Sequence, residues 1–221
     1  MQIKADLHVH TTYSKDSLIT PKDLVYYAKK RGLNAVAVTD HNQLEGSYKI
    51  AKETQDFLVI PGMEVSSSDG HIVALNVKKL VPSGLSAPET VEKIHAGGGV
   101  AIACHPFVIG KGCLKDRVCS TFDAIETINS RAFPFGRSVK KAQQTASRLH
   151  LSRVAGTDSH YGPQIGYAYT VIEADGLTVE AIARAIVEGR CEPFGTAVPA
   201  ILNLEMELQR VKRAITNRLH S

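Results

Sequence analysis

The sequence lacks several features that would point to particular protein classes. It has no tryptophan, and its four cysteines form no CxxC pair, so neither a disulfide framework nor a zinc ribbon is indicated. No apolar run approaches the roughly 20 residues that a membrane-spanning helix requires. The first motif begins at Asp6, which leaves no room for a signal peptide. We therefore predict a cytoplasmic protein with free thiols and no membrane contact.

Most of the chain also lacks clusters of residues with the same charge. The 221 residues include 26 Lys and Arg and 22 Asp and Glu, a net charge of +4 that only weakly indicates an anionic partner. The one local cluster of basic residues lies in the final segment, where apolar residues between Leu204 and Leu219 recur at helical spacing. This pattern predicts an amphipathic C-terminal helix within residues 199–221, packed on a main domain of residues 1–198.

Short apolar runs alternate with longer segments of helical periodicity. Two helix starts are marked by capping signals, Thr20 before Pro21 and Ser86 three residues before Glu89. The apolar runs predict eight strands, at residues 3–8, 35–39, 57–60, 71–77, 100–103, 124–128, 154–156 and 168–172. Repeated strand-then-helix units indicate an α/β fold with a parallel sheet, either open or closed into a barrel.

Polar side chains stand at or just beyond the ends of these predicted strands. They are His8, His10, Asp40, His41, Glu64, His105, Asn129, Asp158 and His160. Barrel enzymes collect their functional residues from the carboxyl ends of many strands, whereas an open sheet uses the two or three strands at a switch point. Contributions from six or more strands therefore favour a barrel.

The same residues have the chemistry of metal ligands. Side chains two residues apart on an extended segment point to the same side, so His8 and His10 can share one ion, and Asp158 and His160 repeat that spacing. The candidate ligands are His8, His10, Asp16, His41, Glu64, His71, His105, Asp158 and His160. They are enough for two or three divalent ions, and manganese, iron and zinc all suit nitrogen and carboxylate ligands. His71 lies on an alternating strand and has the alternative of a place in the core.

In their order along the chain these motifs resemble the PHP family, the polymerase and histidinol phosphatase domain of metal-dependent phosphoesterases. The motifs are residues 6–14 (DLHVHTTYS) with Asp16, 39–42 (TDHN), 61–64 (PGME), His71, 104–106 (CHP) and 156–160 (GTDSH). The resemblance implies a distorted seven-stranded β/α barrel, TIM-like in outline, in which one of the eight predicted strands lies outside the barrel or is misassigned.

The resemblance also implies how the ligands are shared between ions. One ion is assigned to His8, His10, Glu64 and Asp158; a second to Glu64, His71 and His105; a third to Asp16, His41 and His160. Asp6 and Asp40, next to ligands, are expected to orient imidazoles or, alternatively, to cap nearby backbone. Three residues are candidates for contact with a substrate phosphate, with ordinary surface positions as the alternative: Arg131, Lys111 and Asn129.

The predicted reaction is hydrolysis of a phosphate ester by a hydroxide that bridges two ions. Glu64 would bridge the ions, and Asp158 or His160 would relay a proton to the leaving oxygen. The substrate is expected to be a nucleotide, a nucleotide bisphosphate, the end of a short nucleic acid or a small phosphomonoester, and no protein partner is predicted. Two alternatives stay open: a carbon–nitrogen hydrolase of the amidohydrolase type and a non-catalytic metal-binding PHP module.

Overall fold

The computed structural model of the protein describes residues 1–110 and 112–219 and contains one nine-stranded mixed sheet with six α-helices. The strands are β1 Gln2–Val9, β2 Ala35–Val38, β3 Leu58–Ser66, β4 His71–Leu75, β5 Val100–Ala103, β6 Ala124–Asn129, β7 Ser152–Gly156, β8 Ala168–Glu173 and β9 Cys191–Gly195. The helices are α1 Pro21–Lys30, α2 Glu45–Glu53, α3 Ala87–Ala96, α4 Phe135–Leu149, α5 Val179–Val187 and α6 Ala200–Leu219.

Both predicted capping signals are confirmed. Thr20 Oγ1 accepts a hydrogen bond from Asp23 N at 3.2 Å, which fixes the start of α1. Ser86 and Glu89 form the reciprocal capping box of α3, with the Glu89 carboxylate accepting from Ser86 N at 2.9 Å. These bonds satisfy amide groups that have no partner within the helix, so each helix begins at a defined residue.

The prediction of a seven-stranded barrel with a parallel sheet is wrong in the number and the direction of strands. The sheet has nine strands in the order β7-β6-β5-β4-β3-β2-β1-β8-β9. The chain reverses direction between β3 and β5, because β4 pairs antiparallel with both. Strands β8 and β9 continue the sheet beyond β1 as two further antiparallel strands. Apolar runs mark strands but not their direction, so the sequence pattern did not reveal these reversals.

The sheet is nevertheless barrel-like and nearly closed. Strand β7, at one end of the strand order, contacts β1, β8 and β9. A parallel bridge joins Val9 to Ser159 just beyond the ends of β1 and β7. Its hydrogen bonds run from Asp158 N to His8 O (2.7 Å) and from His10 N to Ser159 O (3.0 Å). The first and seventh strands therefore meet at the rim where the candidate ligands stand.

Apolar residues on the two faces of the sheet enter different clusters, as expected from the alternation of side chains along a strand. Ala35 and Ala37 of β2 pack with Ile182 and Ile186 of α5. The alternate residues of β2, Val36 and Val38, pack with α1 and α2. Buried apolar area on both faces holds the strands, and therefore their ends, in place.

Helix α6 is present within the predicted segment, but it does not pack as expected. Met206 is buried, and Arg210 and Arg213 donate hydrogen bonds to the carbonyl oxygens of Asp16 and Ser17. The apolar residues that were expected to face the domain are instead exposed: Leu204, Leu208, Val211 and Ile215.

None of the helices in the described part of the chain is long and apolar enough to cross a membrane.

Candidate metal centre

The structure brings all nine candidate ligands together at one rim of the barrel-like sheet. Most of them follow the carboxyl ends of parallel strands, which meet at the same edge. His71 is the first residue of β4, and because β4 runs antiparallel, its beginning lies at this same edge. The antiparallel direction of β4, which the sequence pattern did not reveal, is thus what places His71 in the site.

Glu64 lies at the centre of the cluster, with only 1% of its surface exposed. One carboxylate oxygen, Oε1, is 2.8 Å from His105 Nε2 and 2.9 Å from His71 Nδ1. The other, Oε2, is 3.0 Å from His41 Nδ1 and 3.3 Å from His10 Nε2. A carboxylate with imidazoles on both oxygens has the arrangement required of a ligand that bridges two ions.

A second carboxylate, Asp158, lies beside the histidine pair of β1. Its Oδ1 atom is 3.4 Å from His10 Nε2 and 3.8 Å from His8 Nε2. A third, Asp16, lies at the outer edge of the site, with Oδ2 3.1 Å from His160 Nε2 and 3.5 Å from His41 Nε2. Asp158 thus lies beside His8 and His10, and Asp16 beside His41 and His160, while the division of the ligands between three ions stays a prediction.

Several triplets of donor atoms are close enough to hold an ion, with all atoms of a triplet within 4.8 Å of one another. Three triplets consist of predicted ligands: His8, His10 and Asp158; His41, Glu64 and His71; and His10, His41 and His160. The fourth combines His8 and His105 with Cys104, a buried residue that the sequence reasoning did not include as a ligand.

The residues present fit divalent ions. His8 Nδ1 lies 3.1 Å from Glu126 Oε1, a pairing that places the ring proton on Nδ1 and leaves a lone pair on Nε2. That lone pair faces His10 Nε2 at 3.2 Å and Glu64 Oε2 at 3.6 Å. Glu64 Oε2 is buried and makes no hydrogen bond of good geometry within the described residues, although three imidazole nitrogens lie within 3.6 Å of it. Buried acceptor atoms that face one another require protons or cations between them, so this donor set suits a metal centre.

The charges of the cluster shift its pKa values in opposite directions. Burial lowers the pKa of His8, but the nearby carboxylates of Glu126, Asp158 and Glu64 outweigh burial and raise it well above its usual range. Burial likewise raises the pKa of Glu64, but the surrounding histidines hold it well below its usual range. Burial lowers the pKa of His41, but the nearby carboxylates of Asp16 and Glu64 outweigh burial and raise it to about 10. Metal binding must therefore displace protons from imidazoles.

His160 differs from these histidines. Burial and the positive charge of His10 lower its pKa to about 4, despite a hydrogen bond to Asp16. His160 is therefore neutral near pH 7, which is the form of imidazole that can act as a ligand.

Asp6 and Asp40 are both buried, but they bind backbone and threonine groups. Asp6 accepts hydrogen bonds from Thr157 N at 2.9 Å and from the Thr157 hydroxyl. Asp40 accepts from Thr11 N and Thr11 Oγ1, both at 2.6 Å. Burial raises the pKa of Asp6 to about 6. Of the two roles considered, capping nearby backbone fits these contacts, and both residues position the ligand-bearing segments rather than an imidazole ring.

Glu126 has the imidazole-orienting role that was expected of Asp6 and Asp40. It projects from β6, is 3% exposed, and pairs through Oε1 with His8 Nδ1. Its other oxygen accepts from His105 N at 2.7 Å and from Asn129 Nδ2 at 2.9 Å. The sequence signal that pointed to Glu126 is a charged residue directly after the apolar pair Ala124 and Ile125 of a largely buried strand. A residue that fixes the tautomer of a ligand in this way raises its basicity toward metal.

The predicted phosphate contacts have different surroundings. Arg131 donates to Asp158 O at 3.1 Å and contacts His160 Nδ1, and its partly exposed guanidinium lines a cavity of about 260 Å³ over the ligands. Asn129 lines the same cavity, but its amide donates to Glu126 and Asp158 and its oxygen accepts from Arg131 N, so its polar atoms are already engaged. Lys111 lies outside the described residues.

Two family models match the chain. The PHP domain model matches residues 6–96, and the PHP-associated model matches residues 136–191. A protein of Methanocaldococcus jannaschii is 38% identical over 141 residues, which are 58% of this chain and 82% of that protein. A 5'-3' exoribonuclease of Haemophilus influenzae is 38% identical over 88 residues, which are 37% of this chain and only 32% of the exoribonuclease.

A solved structure with the same fold comes from Bacteroides vulgatus. It is a two-domain protein that contains a predicted PHP-like metal-dependent phosphoesterase. The superposition has a TM-score of 0.70 at 18% sequence identity, and it covers 89% of this chain and 65% of that one. The shared fold, the two family models and the ligand motifs at one rim lead to the same conclusion. The chain belongs to the PHP family.

Proposed function

We propose that the protein is a phosphoesterase that hydrolyses a phosphate ester of a nucleotide, of a nucleic-acid end or of a small phosphorylated molecule, using two or three divalent ions. The observation that carries the proposal is the position of Glu64, whose two carboxylate oxygens each contact two imidazoles. The similarity of part of the chain to an exoribonuclease supports phosphate-ester chemistry. Manganese, iron and zinc suit this donor set, and a cytoplasmic location stays a prediction.

The protein would supply two functions to this reaction. Glu64, His8 and the other seven candidate ligands would hold the ions at one rim. When bound, such ions supply Lewis acidity that lowers the pKa of water and offsets the charge on a phosphoryl group. Arg131, which lines the cavity, presents a guanidinium that can pair with two oxygens of a phosphate through two parallel hydrogen bonds.

Two residues are candidates for moving a proton to the leaving oxygen. Burial raises the pKa of Asp158, but His8 and hydrogen bonding to His10 lower it well below its usual range, so Asp158 is ionised near pH 7. His160 is neutral there, and a neutral imidazole can accept a proton on one nitrogen as it releases one from the other. If only two ions are bound and His160 is free of metal, His160 is the better candidate for a relay, and Asp158 for holding an ion.

A solved structure of an amidohydrolase from Chromobacterium violaceum shares the fold, with a TM-score of 0.61, but at 18% sequence identity this likeness does not extend to the reaction. That reaction class typically bridges its metals with a modified lysine, and among the described residues that line the cavity there is no lysine. Glu64 on β3 takes the bridging position. A non-catalytic module is disfavoured because all nine predicted ligands lie within one cluster.

The test combines elemental analysis with phosphate release from monoesters, nucleotide bisphosphates and short oligonucleotides, with and without manganese. The proposal expects two or three ions per chain and metal-dependent release. Glu64→Gln should lose both metal and activity, whereas Glu192→Gln, an exposed glutamate on β9, should keep both. A Glu64→Gln protein that is active and fully loaded would refute the bridging role. Metal binding without phosphate release from any substrate would refute the phosphoesterase.

A further inference from the structure

A second cavity of about 230 Å³ adjoins the one over the metal ligands. The two cavities share Val108 and Ile109, which form part of the wall of each. We call the second one the cationic pocket and define it by Lys115, Arg137 and Lys141, which line it. The cationic pocket is therefore adjacent to the ligand cluster, within reach of a ligand that passes over Val108 and Ile109.

The charge of the cationic pocket suits an anion. Lys115, Arg137 and Lys141 are exposed, and within the described residues none of the three forms an ion pair. The one carboxylate in the lining is Asp116. Arg137 and Lys141 are four residues apart on α4, so they share one helix face. The start of α4 also lines the pocket, at Pro134, and its first turn contains no acidic residue that would offset the partial positive charge there.

Apolar side chains stand at the opening of the cavity over the ligands. Phe133 is 71% exposed and Ile109 is 69% exposed, and both line that cavity. Ile109 N donates to Phe133 O at 2.9 Å, which ties the two segments together. An exposed aromatic ring beside a cationic groove is the combination on which single-stranded nucleic acids stack their bases.

We propose that the substrate is a short single-stranded nucleic acid, with its scissile phosphate at the metal centre, a base on Phe133 and the neighbouring phosphate in the cationic pocket. This inference rests on the proposed phosphoesterase function. A small monoester occupies only the cavity over the ligands and leaves three unpaired cations unused. A substrate of two or more nucleotides uses both cavities.

The experiment compares kcat/KM for a mononucleotide with kcat/KM for single-stranded oligonucleotides of increasing length. The ratio of the second to the first should fall roughly tenfold or more in Arg137→Glu and Lys141→Glu, because a phosphate contact becomes a repulsion. Phe133→Ala should lower the same ratio by a similar factor through loss of stacking. Lys140→Glu is the matched control, since it reverses the same charge on an exposed position of α4 outside the pocket, and it should leave the ratio unchanged.

Equal effects of Lys140→Glu and Lys141→Glu, or equal losses on mononucleotide and oligonucleotide, would overturn the cationic pocket as a subsite. If no phosphate ester is hydrolysed at all, the proposed reaction fails. Fluorescence anisotropy of a labelled oligonucleotide on the manganese-loaded protein still decides the inference in that case. Binding weakened by Lys141→Glu but not by Lys140→Glu supports the pocket, and binding that is absent or equal in both variants refutes it.

The exposed face of helix α6 supports a second, independent inference. Five large apolar side chains on it are each more than half exposed: Ile201, Leu204, Leu208, Val211 and Ile215. The opposite face is fixed to the domain by Met206, Arg210 and Arg213. An exposed apolar stripe of this kind is uncommon in monomers and marks an interaction surface.

The spacing of the exposed apolar residues on α6 indicates that their partner is another helix. These residues alternate by three and four positions, which is the a and d pattern of a coiled coil. The flanking charges change sign along α6, from Glu205 and Glu207 in the first half to Lys212 in the second. In an antiparallel pair the acidic half of one helix lies against the basic half of the other. We therefore infer that α6 binds α6 of a second copy of the chain in an antiparallel pair.

Sedimentation equilibrium over a range of concentrations tests this inference. The chain should have twice its monomer mass, and Leu208→Lys should have the monomer mass with an unchanged circular dichroism spectrum. Gln209→Lys adds the same charge one position outside the stripe, and it should remain dimeric. A monomeric unsubstituted chain, or a Leu208→Lys protein that remains dimeric, would overturn the inference.

Discussion

Replacement of Glu126 by glutamine is expected to weaken metal binding, although Glu126 is not itself expected to be a ligand. Its carboxylate accepts hydrogen bonds on both oxygens, from His8 Nδ1 on one and from His105 N and Asn129 Nδ2 on the other. Glutamine has the same shape but only one acceptor oxygen. Whichever way the amide is turned, its NH₂ group meets a donor from His8 or from His105.

The size of the effect follows from this mismatch. If the NH₂ group faces His8, the ring proton must move to Nε2, which is the atom needed for metal. If it faces His105, the backbone N–H of that ligand loses its acceptor. Loss of such a partner of a metal ligand typically costs 10- to 100-fold in affinity, and each tenfold change corresponds to about 1.4 kcal/mol.

The assay is competition between the protein and a chelating dye for manganese at constant pH. Glu126→Gln should raise the Kd by roughly 10- to 100-fold, whereas Glu192→Gln, the same exchange on an exposed edge strand, should not change it. The far-ultraviolet circular dichroism spectrum should be the same for both. A folded Glu126→Gln protein that binds manganese as tightly as the unsubstituted chain would refute the reasoning.

Three further predictions concern the surroundings of the ligands. Gly156→Ala should lower the free energy of unfolding by about 1–3 kcal/mol, because the added Cβ would lie only 2.4 Å from His8 Cβ. Gly176→Ala is the control, since its Cβ would meet nothing within 4 Å and should leave stability unchanged. Thermal melts compare the two variants. Metal-depleted protein should lose stability as the pH rises from 6.5 towards 10. Because folding raises the pKa of His41 to about 10, protonated His41 stabilises the fold fully below pH 6.5, and this contribution is lost as the pH passes through about 10. Melting temperatures that stay constant over this range would contradict the prediction. In Asp16→Asn, elemental analysis should find one ion fewer per chain, because the Asp16 carboxylate pairs with His41 and His160 at the outer edge of the cluster. Loss of every ion would contradict the assignment of Asp16 to a separate ion.

The clustering of the candidate ligands was predictable because the sequence places most of them in short contiguous motifs. His8 and His10 need only the alternation of a strand to face the same ion, and the helix starts at Thr20 and Ser86 need only bonds within a few residues. Glu126 was not predictable as a partner of His8, because 118 residues separate the two in sequence. A contact of that kind depends on which strands the fold brings together.

The remaining differences also have physical causes. Strand β9 was missed because Cys191–Gly195 contains Pro193 and alternates partly buried with exposed residues, which suits only an edge strand. The pattern in α6 showed that a stripe exists but not which neighbour covers it. Periodicity describes one element at a time, whereas strand direction and helix docking depend on the other elements.

The bridge between Val9 and Ser159 affects when the ligand cluster can be completed during synthesis of the chain. During synthesis the N-terminal His8 and His10 leave the ribosome long before Asp158 and His160 exist. If the site holds metal as proposed, the nascent chain at first offers only the histidine pair, without the carboxylates of the other candidate ligands. The complete site then forms late, when the first and seventh strands join.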